Sequence, residues 1–166
     1  MNNMVLNFDK KKKIVNEISK IIPKTSSIVI ADISGIKVNK ITELRKNCIK
    51  NKVFLKIVQN NLLKIIIKNT KYNCLINNIV GPIIIALSTE HPGTAARLLK
   101  NFSKENKNIN IKAAVFEKKL LTSSDEINFL VTLPTYKESL IKLIYIIKEI
   151  SLVKFIKLLN ILSKKK

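Results

Sequence analysis

The residues able to do chemistry are few and scattered. His91 is the single histidine, and it lies in His91-Pro92-Gly93. Combined with Ser88 or an aspartate it could in principle activate a nucleophile, but a histidine in a turn that leads into a helical pattern is better read as a cap. Cys48 and Cys74 are the only cysteines, and neither has a second Cys or a His at metal-ligand spacing. Both are expected to be free, buried thiols in a reducing cytosol. Gly35, Gly81 and Gly93 stand too far apart to form a phosphate-cradling loop. Asp125 and Glu126 are adjacent, as an acid–base pair could be. Yet Ser123-Ser124-Asp125-Glu126 has capping-box spacing, which accounts for them without catalysis. The residues predict no active site, no metal and no cofactor.

Charge is the stronger chemical signal. The chain carries 31 Lys+Arg against 11 Asp+Glu, a net charge of +20 over 166 residues. Because the acidic residues are spread singly from Asp9 to Glu149, the basic excess covers the whole chain and is no tail. Such a protein repels itself unless a polyanion neutralises it, and nucleic acid or an anionic membrane are the candidates. Richness in Ile, Asn and Lys is also what mutation toward A+T-rich codons produces, so part of the charge carries no functional information. Met1 to Phe8 followed by Asp9 and four lysines supplies no apolar signal core, so a cytoplasmic location is expected.

With three glycines and four prolines, each breaker in the chain is informative. Ile14, Val15, Ile18, Ile21 and Ile22 recur at helical spacing until Pro23. Ser27–Ala31 is β-branched and apolar and is closed by Asp32-Ile33-Ser34-Gly35, which predicts a buried strand. Asn39 is the expected N-cap of a helix through Lys50; Val53–Val58 reads as a strand, Asn60–Ile67 as a helix, and Cys74–Asn78 as a weaker helical segment. Ile79–Leu87 is the most apolar strand, and its proline implies an edge position or a bulge. Pro92 starts a helix through Phe102. Ile109–Leu121 reads as a last strand, and a short capped helix runs to Val131. The alternation predicts an α/β sheet of four strands, inclining to parallel, with parallel and mixed forms both open. The globular part ends at Leu133-Pro134, where Thr135 and Glu138 form a second capping box and open a helix to the C-terminus.

That last helix has an unusual pattern. From Lys142 onward, polar residues fall at every third position: Lys142, Tyr145, Lys148, Ser151, Lys154, Lys157, Asn160 and Ser163. Three residues turn an α-helix by about 300°, so each polar residue is displaced by about 60° from the last and the apolar surface winds around the axis. An ordinary amphipathic helix would keep one fixed stripe. The lysines and Glu149 interrupt any run approaching the ~20 apolar residues of a membrane span. A helix lying in a membrane interface is the runner-up, although it too prefers one face. The remaining reading is a spine that partner helices wrap.

Several short strings then carry a resemblance: Thr42-Glu43-Leu44-Arg45-Lys46; Val80-Gly81-Pro82; Glu90-His91-Pro92-Gly93 with Ala95-Ala96-Arg97-Leu98; Lys112-Ala113-Ala114 with Phe116-Glu117; and Thr132-Leu133-Pro134-Thr135-Tyr136. In this order and spacing they resemble the bacterial large-subunit ribosomal protein L-ten family, across nearly the full length. The resemblance implies an α+β fold, a ferredoxin-like α/β sandwich with a roughly four-stranded sheet packed by helices, followed by a long C-terminal helix. This replaces the inclination to a parallel sheet. It implies a domain at 1–133 that binds 23S rRNA beside a neighbouring stalk-base ribosomal protein. The helical spine at 134–166 would hold acidic stalk-protein dimers, two by resemblance, which recruit translational GTPases. No membrane partner is expected, and the location is cytoplasmic, on the ribosome. Autogenous repression of its own mRNA, as in family members, is also raised.

Carried over position by position, the resemblance implies an rRNA-facing set of Arg45, Lys46, Lys56, Asn60 and Lys64, to which Lys37 and Lys52 are added as basic residues of this chain. Ser34 stands where the family usually has Arg, Gln59 where it has Arg or Lys, Asn61 where it has Thr and Lys52 where it has Gly; Lys37 and Lys52 are expected to compensate. On the tail, the partner-binding set is Leu140, Leu143, Ile144, Ile147, Ile150, Leu152, Phe155, Ile156, Leu158, Leu159 and Leu162, in segments 138–149 and 151–162.

Overall fold

The computed structural model describes residues 8–68, 70–106, 108–117, 119–150 and 154–163. By its internal contacts the chain divides into two units, Met1–Leu133 and Pro134–Lys166. The first contains α1 (Phe8–Ile21), β1 (Ser27–Asp32), α2 (Val38–Lys50), β2 (Val53–Ile57), α3 (Asn60–Lys68), β3 (Ile83–Ser88), α4 (Gly93–Glu105), β4 (Asn110–Phe116), β5 (Lys119–Leu121) and α5 (Ser124–Thr132), with 3-10 turns at Ile22–Lys24 and Asn73–Asn78.

The strands form one sheet in the order β2-β3-β1-β4-β5, and every neighbouring pair is antiparallel. The first four have the order of a ferredoxin-like sandwich. β1 and β2, joined through α2, both flank β3; β3 and β4, joined through α4, both flank β1. Each crossover therefore skips one position. The strands of each of these two pairs run parallel in space but never touch, and β2 and β3, though α3 separates them in sequence, are antiparallel neighbours, which is why alternation alone inclines to the wrong sheet.

The sheet is buried on both faces. Ile28, Ile30, Ile83, Ile85, Ala113 and Val115 point to one layer, where they meet Ile18 of α1 and Leu63 and Ile67 of α3. Val29, Ala31, Ile84, Ala86 and Ala114 point to the other, against Leu44 and Cys48 of α2, Leu99 and Phe102 of α4, and Leu130 of α5. Two-sided burial explains why β1 and β3 read as unbroken apolar runs.

Four local expectations change. The helix expected from Asn39 begins at Val38, because the extended residue that must precede its first turn is Lys37 (φ −69°, ψ 139°). Pro82 lies just ahead of β3, outside the ladder, so β3 tolerates it as an interior strand. The segment Ile109–Leu121 is a hairpin: Glu117 takes φ 49° and the chain folds back as β5, a short fifth strand beside β4. Cys48 is buried as expected, whereas Cys74 is exposed, its 3-10 turn burying Leu75 instead.

The second unit holds α6 (Tyr136–Lys148) and α7 (Lys154–Ser163). Thr135 Oγ1 accepts from the Glu138 N–H at 3.3 Å and Glu138 Oε2 accepts from the Thr135 N–H at 3.0 Å, closing the expected capping box. Residues 149–150 form a wider π-type turn, and the link 151–153 lies outside the described residues.

Candidate nucleic-acid interface and partner-binding helix

Of the seven residues expected at the rRNA surface, Arg45 and Lys46 lie on α2, Lys56 on β2, and Asn60 and Lys64 on α3, while Lys37 precedes α2 and Lys52 stands in the turn between α2 and β2. They do not form one patch. Arg45 and Lys46 lie on α2, in the layer with Leu44 and Cys48, whereas Lys64 lies on α3 in the opposite layer. Lys37 and Asn60 stand at the end of the sheet where β2 finishes; Lys52 stands at the other end, beside Val53 and its partner Ser88.

Their local states differ as well. Lys37, Arg45 and Lys46 are exposed, Lys64 is half-buried, and none of the four is ion-paired among the described residues. Lys56 is half-buried and paired with Glu17 of α1, with its ammonium 5.9 Å from the centroid of the Phe54 ring. Lys52 pairs with Glu90 at 2.5 Å on the open surface, and that carboxylate raises its pKa. Its backbone takes φ 55°, a left-handed conformation that suits glycine and costs another residue roughly 1 kcal/mol. Asn60 is engaged too: its Nδ2 donates to Gly81 O at 3.0 Å.

That last contact belongs to a feature absent from the expected set. Three successive carbonyls are each held by a different element. Val80 O accepts from Lys112 Nζ at 2.7 Å, Gly81 O from Asn60, and Pro82 O from the Ile33 N–H at 3.1 Å. Gly81, at φ 79°, supplies the left-handed turn this requires. Lys112 can reach the loop because it is the extra residue of a β-bulge: Ile30 faces Ala113 but Ala31 faces Ile111. The bulge turns the ammonium onto Asp32 Oδ2 at 2.7 Å. Lys112, followed by the Ser34 hydroxyl and N–H, lowers the Asp32 pKa to about 2. A lysine at the start of an otherwise apolar strand was the one signal of this in the sequence. Ser34, in the position where an arginine was expected, is tied to Asp32 and supplies no cation.

At this end of the sheet, loop backbone is therefore fixed in place with side-chain amides and amines around it. Such a surface can position phosphates and sugars without carrying sequence information. His91 is a cap: its Nδ1 accepts from the Gly93 N–H at 3.1 Å at the start of α4. Among the described residues there is no group of His, Cys, Asp and Glu that could hold a metal ion, and no helix long and apolar enough to cross a membrane.

In the second unit no residue of α6 is buried. Leu140, Leu143, Ile144, Ile147, Ile150, Phe155, Ile156 and Leu159 are all exposed. Ile141, Tyr145, Ile146 and Ile161 are exposed as well, which extends the apolar surface around the helix. Leu152 lies outside the described residues, as do the side chains of Leu158 and Leu162. A surface of this size is a docking site or an aggregation liability.

The model of a family described as Ribosomal protein L10 matches residues 7–104. The sequence is 48% identical over 159 residues, 94% of each chain, to Large ribosomal subunit protein uL10 of Buchnera aphidicola subsp. Baizongia pistaciae. It is 44% identical to the protein of that name in Wigglesworthia glossinidia brevipalpis, over 98% of this chain and 100% of the relative. With the Klebsiella pneumoniae protein of the same name it shares 43% identity over 94% of each chain.

Proposed function

The chain belongs to the ribosomal protein L10 family, and from that premise we propose that it binds 23S rRNA through residues 1–133 and carries acidic stalk-protein dimers on residues 134–166. It is a structural constituent of the large ribosomal subunit and not an enzyme. In this reading, residues 138–149 and 151–162 each hold one dimer, and the dimers recruit translational GTPases. A neighbouring stalk-base ribosomal protein shares the rRNA site, and the protein works in the cytoplasm. Repression of its own mRNA follows if that mRNA presents the same RNA shape.

The observation that carries the reading is the tail. A capped helix with Leu and Ile exposed around it has no use for that surface until other helices cover it. Burial of each such side chain contributes about 1.5–3 kcal/mol, so affinity comes from apolar contact. Lys142, Lys148, Lys154 and Lys157 add on-rate and selectivity for acidic partners. On unit 1, the unpaired Arg45, Lys46 and Lys64 supply the counterion-releasing contacts that backbone recognition needs.

The test is capture of partners from a cell extract on the full chain, with mass spectrometry of what is retained, beside binding to 23S rRNA fragments. Recovery of an acidic, helical partner through the tail and of rRNA through unit 1 is expected. Strong flotation with anionic vesicles and no binding to rRNA fragments would instead make it an interfacial membrane protein.

A further inference from the structure

The chain leaves unit 1 immediately after α5, and the last turn of α5 is held by α4 through two contacts that α5 itself does not supply. Arg97 of α4 donates from Nε to Val131 O at 2.7 Å and from NH2 to Leu133 O at 2.5 Å. The end of a helix leaves its last carbonyls without intrahelical donors and carries partial negative charge, so a guanidinium placed there satisfies both needs. Four residues earlier on the same helix, Gly93 lies so close to α5 that a Cβ at that position would stand 2.7 Å from Leu130 O. Glycine is therefore what lets α4 approach near enough for Arg97 to reach.

The root of α4 is fixed in turn. Ser27 and Ser88, partners across the β1–β3 pair, are both fully buried. Ser27 Oγ donates to Pro92 O at 2.6 Å, and Ser88 Oγ accepts from the Ala95 N–H at 3.0 Å. Farther along α4, Lys100 donates to Asn128 Oδ1 of α5. An unbroken series of contacts thus runs from the two central strands through α4 to the carbonyls of Val131 and Leu133, where unit 1 ends.

We propose that Arg97 is the positioning residue of the tail's root: with Gly93 it clamps the last turn of α5 to α4, so that whatever loads α6 and α7 is carried from a fixed point of unit 1. Without the clamp α5 peels from its C-terminal end, and the tail hangs from a longer and looser tether. The proposal rests on the tail as the partner-carrying element for its purpose, but its physical content is measurable on the protein alone.

Hydrogen exchange on the full chain reads it directly, because local opening reports contacts that global stability does not. In Arg97→Ala the amides of the α5 end, 130–133, are expected to exchange faster by on the order of tenfold or more, since hydrogen bonds to a charged group are lost, while β1 and β3 amides keep their rates. Arg97→Lys should recover part of the protection, because a point ammonium serves one carbonyl where the planar fork serves two. Gly93→Ala should open the same amides from the other side of the contact. Should Arg97→Ala not fold, Arg97→Lys and Arg97→Gln carry the comparison. Equal acceleration in α5 and in the central strands would mean general destabilisation and would overturn the clamp, as would unchanged α5 exchange. Native mass spectrometry of Arg97→Lys with acidic stalk dimers separates this idea from the reading beneath it. Dimers retained at the wild-type number with α5 loosened supports both. Failure of the wild-type chain to take any dimer defeats the partner reading while leaving the exchange result to decide the clamp.

Discussion

Lys112 Nζ lies 2.7 Å from Asp32 Oδ2 and donates at the same distance to Val80 O, so one bulged lysine joins β4, β1 and the Val80–Pro82 loop. The Asp32 pKa, lowered from 3.8 to about 2 chiefly by Lys112, sets the sign of a pH effect. A carboxylate depressed in the folded state stabilises the fold above its unfolded pKa, and the gain is lost as pH falls through the folded value. Stability should therefore drop between about pH 4 and pH 2, by on the order of 1–2 kcal/mol after allowance for partial solvation. Urea unfolding across that range should show the drop in the wild type and most of it missing in Asp32→Asn. Equal acid slopes would remove the pair from the account.

Affinity for 23S rRNA should fall steeply with salt, with a log–log slope near −0.7 to −0.9 for each phosphate contacted. Arg45→Ala and Lys64→Ala should each flatten the slope by about one contact while the domain stays folded. Lys52→Ala should flatten it less, because the Lys52 ammonium is already engaged by Glu90. The triple variant Arg45→Ala, Lys56→Ala, Lys64→Ala tests the β2 edge as a whole, and an unchanged slope would place the RNA surface elsewhere.

Ending the chain at Pro134 should abolish binding of acidic dimers, raise solubility and leave rRNA binding intact. Replacing Leu158 and Leu159 by Asp should remove only the distal dimer, since burying each carboxylate adds a further penalty to the loss of about 1.5–3 kcal/mol of Leu burial. Native mass spectrometry counts what remains; loss of both dimers or of neither would contradict a segmented spine.

The two thiols should label differently. Burial pushes the Cys48 thiol up to about 11, and Cys74 is exposed. At neutral pH a maleimide should modify Cys74 in the native protein and reach Cys48 only after unfolding, because the thiolate is the reactive form. Two fast-reacting thiols per folded chain would contradict the packing of α2 on the sheet.

The sequence by itself determined what depends on near neighbours in the chain. The capping box of Thr135 and Glu138, the His91 cap, the helix stop at Pro23 and the winding apolar surface after Lys142 are set by spacings of a few residues, and each was legible there. So was the charge excess, and with it the need for a polyanionic partner. The tertiary structure alone decided the rest. The resemblance implies the ferredoxin-like sandwich, but periodicity does not show its antiparallel sheet, because which strand inserts between which is a pairing of residues tens of positions apart for which two-sided burial leaves no alternating mark. The bulge that aims Lys112 at Asp32 is a register shift against β1, invisible in β4 alone. Arg97 falls within the helix expected from Pro92 to Phe102, but only the approach of α4 to α5 through Gly93 brings it to the carbonyls of Val131 and Leu133. The expected rRNA set comes mainly from the resemblance, position by position, and its division between two layers and two ends of the sheet is not readable there. Charge is a property of residues, whereas the surface they share is a property of how helices and strands pack.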